Sequence, residues 1–379
     1  MSVSNQPNPD RVPDGETFSG KAEFPQKKKA LTRRQALAGF GTVAATSLTA
    51  ADGPKLIGEP PGRIAPREEL VNVLEFENMA ERKLAPATFS NISGSDRSYF
   101  DRITFRPRMN VPTRDLDMTT ELFGVKMFAP ILVGPTAEQQ NYHPDGELAM
   151  AQGASAAKTV MIASANSSYP VEKIAAEAKA GLWYQVFPET DIKAVQTRIQ
   201  HAVASGCKAV CLTVGAPYRN GRQANTAIPA LNWSIVDQLR QGVNVPFLLK
   251  GIMTPEEADA AVKRGVQGII VSDWGGLLTK GMAPPMETLP AIVDAVSGRA
   301  PVLIDGNFRR GSDIFKALAF GARAVLIGRP VLWGLTAYGA PGVESVLQML
   351  QTEVARDMAQ CGKPTLKTVD RTVVKVHDV

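Results

Sequence analysis

The chain has 379 residues, 44% of them apolar, enough for one large α/β domain or two ordinary ones. Its formal charge of +5 is concentrated at the start: residues 1–50 hold seven Lys or Arg against four Asp or Glu, and the rest hold 35 against 33. A body so close to neutral gives no basis for nucleic-acid binding, and Cys207, Cys211 and Cys361 have neither metal-ligand nor redox spacing, so no metal site is expected.

Residues 1–30 are polar and rich in Pro, Gly and Lys. Then follow Leu31-Thr32-Arg33-Arg34-Gln35-Ala36-Leu37 and a weakly apolar run, Ala38 to Ala50. A basic region, a short apolar stretch and small residues near Ala50 have the layout of a signal peptide. The arginine pair resembles a twin-arginine signal, which predicts export to the periplasm or another extracytoplasmic place. Cleavage near Ala50 or Ala51 and retention as an uncleaved anchor are both open; a plain N-terminal tail with a chance Arg-Arg is the alternative. Residues 51–66 read as a Pro/Gly-rich linker, residues 67–85 as a helix, and residues 86–120 as a lead-in.

From about residue 120, short apolar runs alternate with stretches of helical period. The runs are Ala129–Val133, Thr159–Ile162, Leu182–Phe187, Ala209–Val214, Pro246–Lys250, Gly268–Ser272, Pro301–Ile304 and Ala324–Ile327. Between two of them, Thr254-Pro255-Glu256-Glu257 opens a helix and Lys263-Arg264-Gly265 closes it, as capping and dipole rules require. Continuous apolar strands between helices imply a parallel sheet covered on both faces. Eight units predict a (β/α)8 TIM barrel, with an open doubly wound sheet as the alternative. Residues 335–379 read as a helical cap and tail. Cys207 and Cys211 flank a strand and read as small core residues.

The last two strand ends carry Asp305-Gly306-Asn307-Phe308-Arg309 and Gly328-Arg329-Pro330. Barrels often bind phosphate on the loops after strands seven and eight. There Gly306 and Gly328 let backbone N–H groups approach an anion, and Arg309 and Arg329 add charged donors. Lys250 ends the fifth strand, where a cation can stabilise negative charge on a bound cofactor.

The stretch Asp305–Ala319 followed by Gly328-Arg329-Pro330 resembles the FMN-phosphate region of the α-hydroxy-acid oxidases and dehydrogenases (glycolate, lactate and mandelate enzymes). Pro130–Ala137 and His143-Pro144-Asp145-Gly146-Glu147 are similar to that family's first strand and the helix start after it. The resemblance spans about residues 65–365. It implies FMN as cofactor, held by Pro135, Thr136, Ala137, Ser164, Gln185, Thr213, Lys250, Ser272, Asp305, Gly306, Asn307, Arg309, Gly328 and Arg329. It also implies a small-molecule substrate, an electron acceptor that the sequence does not name, and a homo-oligomer.

The resemblance breaks where the family keeps Ser-Asn-His-Gly-Gly-Arg. Here the run is Ser272-Asp273-Trp274-Gly275-Gly276-Leu277. Trp274 stands at the base histidine and Leu277 at the substrate-carboxylate arginine. The aspartate that orients the histidine falls at Gly215, and a substrate tyrosine at Phe187. Another substrate tyrosine falls near Ser90 or Phe89. Arg222 is kept, and Phe187, Trp274 and Leu277 line the expected substrate pocket. Indole cannot accept a proton, and loss of general-base catalysis costs about 10²–10⁴-fold. The expectation is an exported FMN-dependent oxidoreductase acting on something other than a simple 2-hydroxy acid. Asp273 and Arg222 are candidate catalytic residues. A catalytically inactive flavin- or ligand-binding barrel is the alternative, and a flavin-dependent isomerase a third reading.

Export should depend on the arginine pair. Changing Arg33 and Arg34 together to Lys should retain the protein in the cytoplasm on fractionation; unchanged export would remove the twin-arginine reading.

Overall fold

The computed structural model describes residues 62–94, 97–108, 111–215, 218–219, 222–223, 232–274 and 283–378. The leader expected over residues 1–50 and most of the linker lie outside them, as does Leu277.

Eight parallel strands close into a barrel: β1 (Ile131–Val133), β2 (Val160–Ser164), β3 (Leu182–Val186), β4 (Val210–Thr213), β5 (Phe247–Ile252), β6 (Gly268–Val271), β7 (Val302–Ile304) and β8 (Ala324–Ile327). Each overlaps one of the eight predicted apolar runs; β2 and β5 continue two residues beyond theirs. Strand β8 pairs with β1 through Val325↔Ile131 to Ile327↔Val133, so no edge is left open. An open doubly wound sheet is excluded.

Alternate strand residues face opposite sides, and this parity builds the interior. Leu132, Val160, Ile162, Trp183, Ala209, Cys211, Leu248, Ile270, Leu303, Ala324 and Leu326 form one buried apolar plug. A hairpin, Thr120–Leu122 paired with Val125–Met127, closes its lower end, with Phe123 5.5 Å from Trp183 between ring centres. The outward residues pack beneath the helices in a second cluster. Cys207 and Cys211 are both buried free thiols, pushed up to about 12 by burial; they act as small apolar groups.

The helix after β5, Pro255–Lys263, starts as its sequence dictates: Thr254 Oγ1 accepts from Glu257 N at 3.2 Å. The expected lead-in helix is Val73–Lys83, capped by Asn72 and preceded by a 3-10 turn at Arg67–Glu69. The C-terminal region departs from a purely helical reading. After the helices Arg329–Tyr338 and Ala340–Gln360, the chain ends in a strand, Val374–Val376, antiparallel to Ile103–Phe105. The alternation Val374-Lys375-Val376 suits a half-buried strand once a partner edge lies beside it.

The long helix Ala340–Gln360 buries two acids against the end of the barrel. Glu353 accepts from Gly311 N at 2.6 Å and pairs with Arg310. Asp357 is pushed up to about 6, first by burial and then by Glu353, against the pull of Arg356, Arg310 and Lys316. A folded-state pKa above the unfolded one means that the ionised carboxylate costs stability above about pH 6, a cost that fades as pH falls from 6 to 4. Asp357→Asn should therefore stabilise the protein by about 1–2 kcal/mol at pH 7–8, allowing for solvent screening. Thermal melts should show that gain shrinking towards pH 4; a gain independent of pH would contradict it.

Candidate functional site

The two-residue period that fills the plug also sets what stands above it. The next inward positions at the C-terminal strand ends are Ser164, Gln185, Thr213, Lys250, Ser272 and Asp305, six polar groups on an apolar floor. Five of them, Ser164, Gln185, Thr213, Lys250 and Ser272, are buried. Ser164 Oγ donates to Gln185 Oε1 at 2.9 Å, and Gln185 Nε2 donates to Val186 O at 3.0 Å. Lys250 Nζ donates to Ser272 Oγ at 2.7 Å and pairs with Asp305 Oδ2 at 2.7 Å. The sequence-predicted polar set is thus brought together on one level.

Three polar atoms of this region are buried without a hydrogen-bond partner among the described residues: Thr213 Oγ1, Asp305 Oδ1 and Arg309 Nε. A buried unpaired polar group costs about 1–3 kcal/mol, so all three favour a polar ligand.

Beyond Asp305 the chain turns through Gly306 (φ +115°) and Asn307 (φ +60°), left-handed backbone that glycine and asparagine tolerate best. A side chain on Gly306 would meet Pro285 Cγ at 3.1 Å, whereas one on Gly328 would meet nothing within 4 Å. The two expected phosphate arginines converge here. Arg309 is 2% exposed and donates to Phe308 O at 2.9 Å and Gly94 O at 3.1 Å. Arg329 donates to Gly94 O at 2.7 Å and to Asn307 Oδ1. Burial, helped by Arg329, pushes the Arg309 guanidinium down to about 9. Burial also lowers Arg329, while Asp273 pulls it up. Two desolvated cations beside open backbone make a seat for a dianion.

Several groups of this seat had no signal in the sequence. Asp313 is fully buried and accepts from Arg309 N and Arg310 N, both at 2.9 Å, and from Arg97 at 2.6 and 2.8 Å. It locks the loop that carries Arg309. The Arg309 guanidinium lies 4.8 Å from the Trp333 ring centre, and Trp333 Nε1 holds Ile92 O at 2.9 Å. Only an acid three residues past Arg310 hinted at any of this, as a helix-start feature.

At the mouth the structure shows why Trp274 fits. Its Nε1–H donates to Val214 O at 3.0 Å, and its backbone N–H to Ser272 Oγ at 3.1 Å. The register of β5 against β6 shifts between Lys250 and Ile252, a bulge at Gly251 (φ +104°). A side chain on Gly251 would collide with the Val214 carbonyl and stand 3.2 Å from Trp274 Nε1. One on Gly215 would stand 3.9 Å from the same atom. Phe187 covers the indole, ring centres 5.3 Å apart and tilted by 37°. Trp274 itself has φ +58°.

Asp273, the candidate base, is buried, with Oδ1 3.5 Å from where a Gly306 side chain would begin. Its carboxylate therefore faces the Gly306 turn, and its charge acts on Arg329. Arg222 lies in a two-residue strand, Arg222–Gln223, and its side chain is outside the described residues. Pro135, Thr136 and Ala137 follow β1 at the same rim, and His143 Nδ1 accepts from Asp145 N at 3.1 Å at the helix start expected for it.

Comparison with known proteins agrees with this geometry. The family described as FMN-dependent dehydrogenase matches residues 90–228 and 219–376. Glycolate oxidase of Spinacia oleracea is 35% identical over 351 residues, covering 80% of this chain and 95% of that protein. L-lactate oxidase of Nostoc is 35% identical over 352 residues, covering 79% and 96%. A crystal structure of mandelate oxidase with (S)-2-phenylpropionate superposes with a TM-score of 0.76 at 33% identity, covering 82% of this chain and all of the other.

A cofactor phosphate held by Arg309 and Arg329 would make FMN affinity depend on Arg309. Arg309→Met should raise the FMN dissociation constant by about 10- to 100-fold, the loss of a charge-assisted contact. FMN at about 100 times its dissociation constant should stabilise the parent protein by about 2.7 kcal/mol. Fluorescence titration and thermal melts measure both; equal affinity in the variant would place the phosphate elsewhere.

Proposed function

Since this chain belongs to the FMN-dependent dehydrogenase family, we propose that it is an exported FMN-dependent oxidoreductase whose substrate is not a simple 2-hydroxy acid. The cofactor and the oxidoreductase class come with the family. The observation that carries the substrate reading is the pinned indole of Trp274. Its only N–H is spent on Val214 O, and an indole offers no basic lone pair, so the side chain in the family's base position moves no proton.

The residues present fit FMN. The paired guanidinium groups of Arg309 and Arg329, with the open backbone at Gly328, would hold the phosphate. Thr213 and Asp305 would satisfy their unpaired oxygens on the polar chain and ring of the cofactor. Lys250 would face the ring, where a fixed cation favours added negative charge. When bound, FMN supplies two-electron chemistry by accepting hydride from a C–H bond. Asp273 sits with the Arg329 end of the site, a placement that favours tuning of the phosphate contact over proton abstraction. Phe187 and Trp274 give the mouth an aromatic wall suited to an apolar substrate face.

Export is supported by Arg33-Arg34 ahead of the small apolar run to Ala50. A second reading, a flavin-binding barrel without turnover, is favoured by the same spent indole. An anaerobic screen for bleaching of the oxidised flavin by apolar alcohols and amines separates the two.

Lactate, glycolate and mandelate should reduce the bound flavin at least about 10²-fold more slowly than a member with an intact base would. Trp274→His alone should remain slow, because Gly215 gives the new imidazole no carboxylate to fix its tautomer. Anaerobic stopped-flow spectroscopy decides; rapid reduction by any of the three acids in the unmodified protein would end the substrate reading.

A further inference from the structure

Gln139 lies in the loop after β1 with 1% of its surface exposed. Its backbone N–H donates to Glu147 Oε1 at 3.0 Å, and Ser168 N donates to the same oxygen at 2.9 Å. Gln140 N donates to Ser168 Oγ at 3.1 Å, and Glu138 N to Asn166 O at 3.0 Å. The loop after β1 is thus tied to the loop after β2 on both sides of Gln139. Glu147 is the second residue of helix Gly146–Ala156, where the helix N-terminus favours a negative charge.

With its backbone so held, the Gln139 carboxamide reaches back to Thr136. Nε2 lies 3.3 Å from Thr136 O and 2.7 Å from Thr136 Oγ1. A backbone carbonyl can only accept, so the carboxamide group beside it is the NH₂ and not the oxygen. The same NH₂ then donates to Thr136 Oγ1, which fixes that oxygen as an acceptor. The hydroxyl proton must point away from Gln139, and no acceptor among the described residues takes it. Thr136 stands at the rim of the barrel two residues past Gly134 and is one of the residues that the family resemblance assigns to FMN.

We propose that Gln139 is a positioning residue: it holds the Thr136 hydroxyl as a hydrogen-bond donor directed at FMN, an inference that rests on the flavin lying beside Thr136. A donor locked in one polarity favours electron density at the atom it faces and therefore favours the reduced cofactor. Gln139 does this without touching the cofactor. An ionised carboxylate in its place can only accept, so Gln139→Glu would take the Thr136 proton for itself.

The test measures the FMN dissociation constant and the midpoint potential of bound FMN in Thr136→Val, Thr136→Ser, Gln139→Glu and the Thr136→Val/Gln139→Glu double variant. Thr136→Val and Gln139→Glu should each make the potential more negative and weaken FMN binding by about three- to tenfold, the loss of one hydrogen bond. Thr136→Ser should match the parent, and the double variant should be no worse than the weaker single one, because both remove the same donor. Additive effects in the double variant overturn the inference. So does a Thr136→Val protein with the parent's affinity and potential, which decides the matter alone if Gln139→Glu fails to fold. Rapid reduction by lactate would overturn the substrate reading instead and leave these comparisons standing.

Discussion

Every inward side chain of this barrel is fixed by the alternation of its strands. Strand residues two apart share a face, so the chain that places Val160 and Ile162 in the plug must place Ser164 above them. The same step takes Trp183 to Gln185, Cys211 to Thr213, Leu248 to Lys250, Ile270 to Ser272 and Leu303 to Asp305. A slip of one residue in any strand would turn an apolar group to the level of the polar ring and a polar one against the helices. Closure of the barrel through β8 and β1 makes such a slip costly all round the ring.

Charge burial governs the end of the barrel that holds Arg309 and Arg329. Arg309 is almost fully desolvated and sits near a second cation, an arrangement that costs stability until an anion arrives. The loop holding it stays in place because buried acids take up its backbone N–H groups: Asp313 takes those of Arg309 and Arg310, and Glu353 takes that of Gly311. The lead-in segment contributes the Gly94 carbonyl, on which both guanidinium groups meet. Binding strength at this end therefore depends on residues more than two hundred positions apart in the chain.

The changes at the mouth form one coupled set. A tryptophan at position 274 needs room, supplied by the bulge at Gly251, and needs an acceptor for its N–H, supplied by Val214. A side chain at position 215 would begin in ordinary contact with Nε1, 3.9 Å away, but on left-handed backbone (φ +87°) that strains any residue other than glycine. Phe187 then completes the contact as a second ring. On the proposed reading the site is remodelled around this aromatic wall, and single reversions are expected to achieve little.

The sequence alone determined the eight strands and the barrel, because apolar run length is a local property of the chain; the residues of the polar ring were named by the family resemblance, and strand parity explains why they share one level. The Gly-Arg pairs at the last two strand ends pointed to an anion seat, and Trp274 and Gly215 are the departures on which the proposed substrate reading rests. Tertiary structure decided what depends on contacts between distant segments. It turned Asp273 towards Gly306, brought Gly94 and Trp333 to Arg309, set Gln139 against Thr136 and paired the last strand with Ile103–Phe105. Those outcomes follow from loop closure and packing across the whole barrel, and no local pattern of residues encodes them.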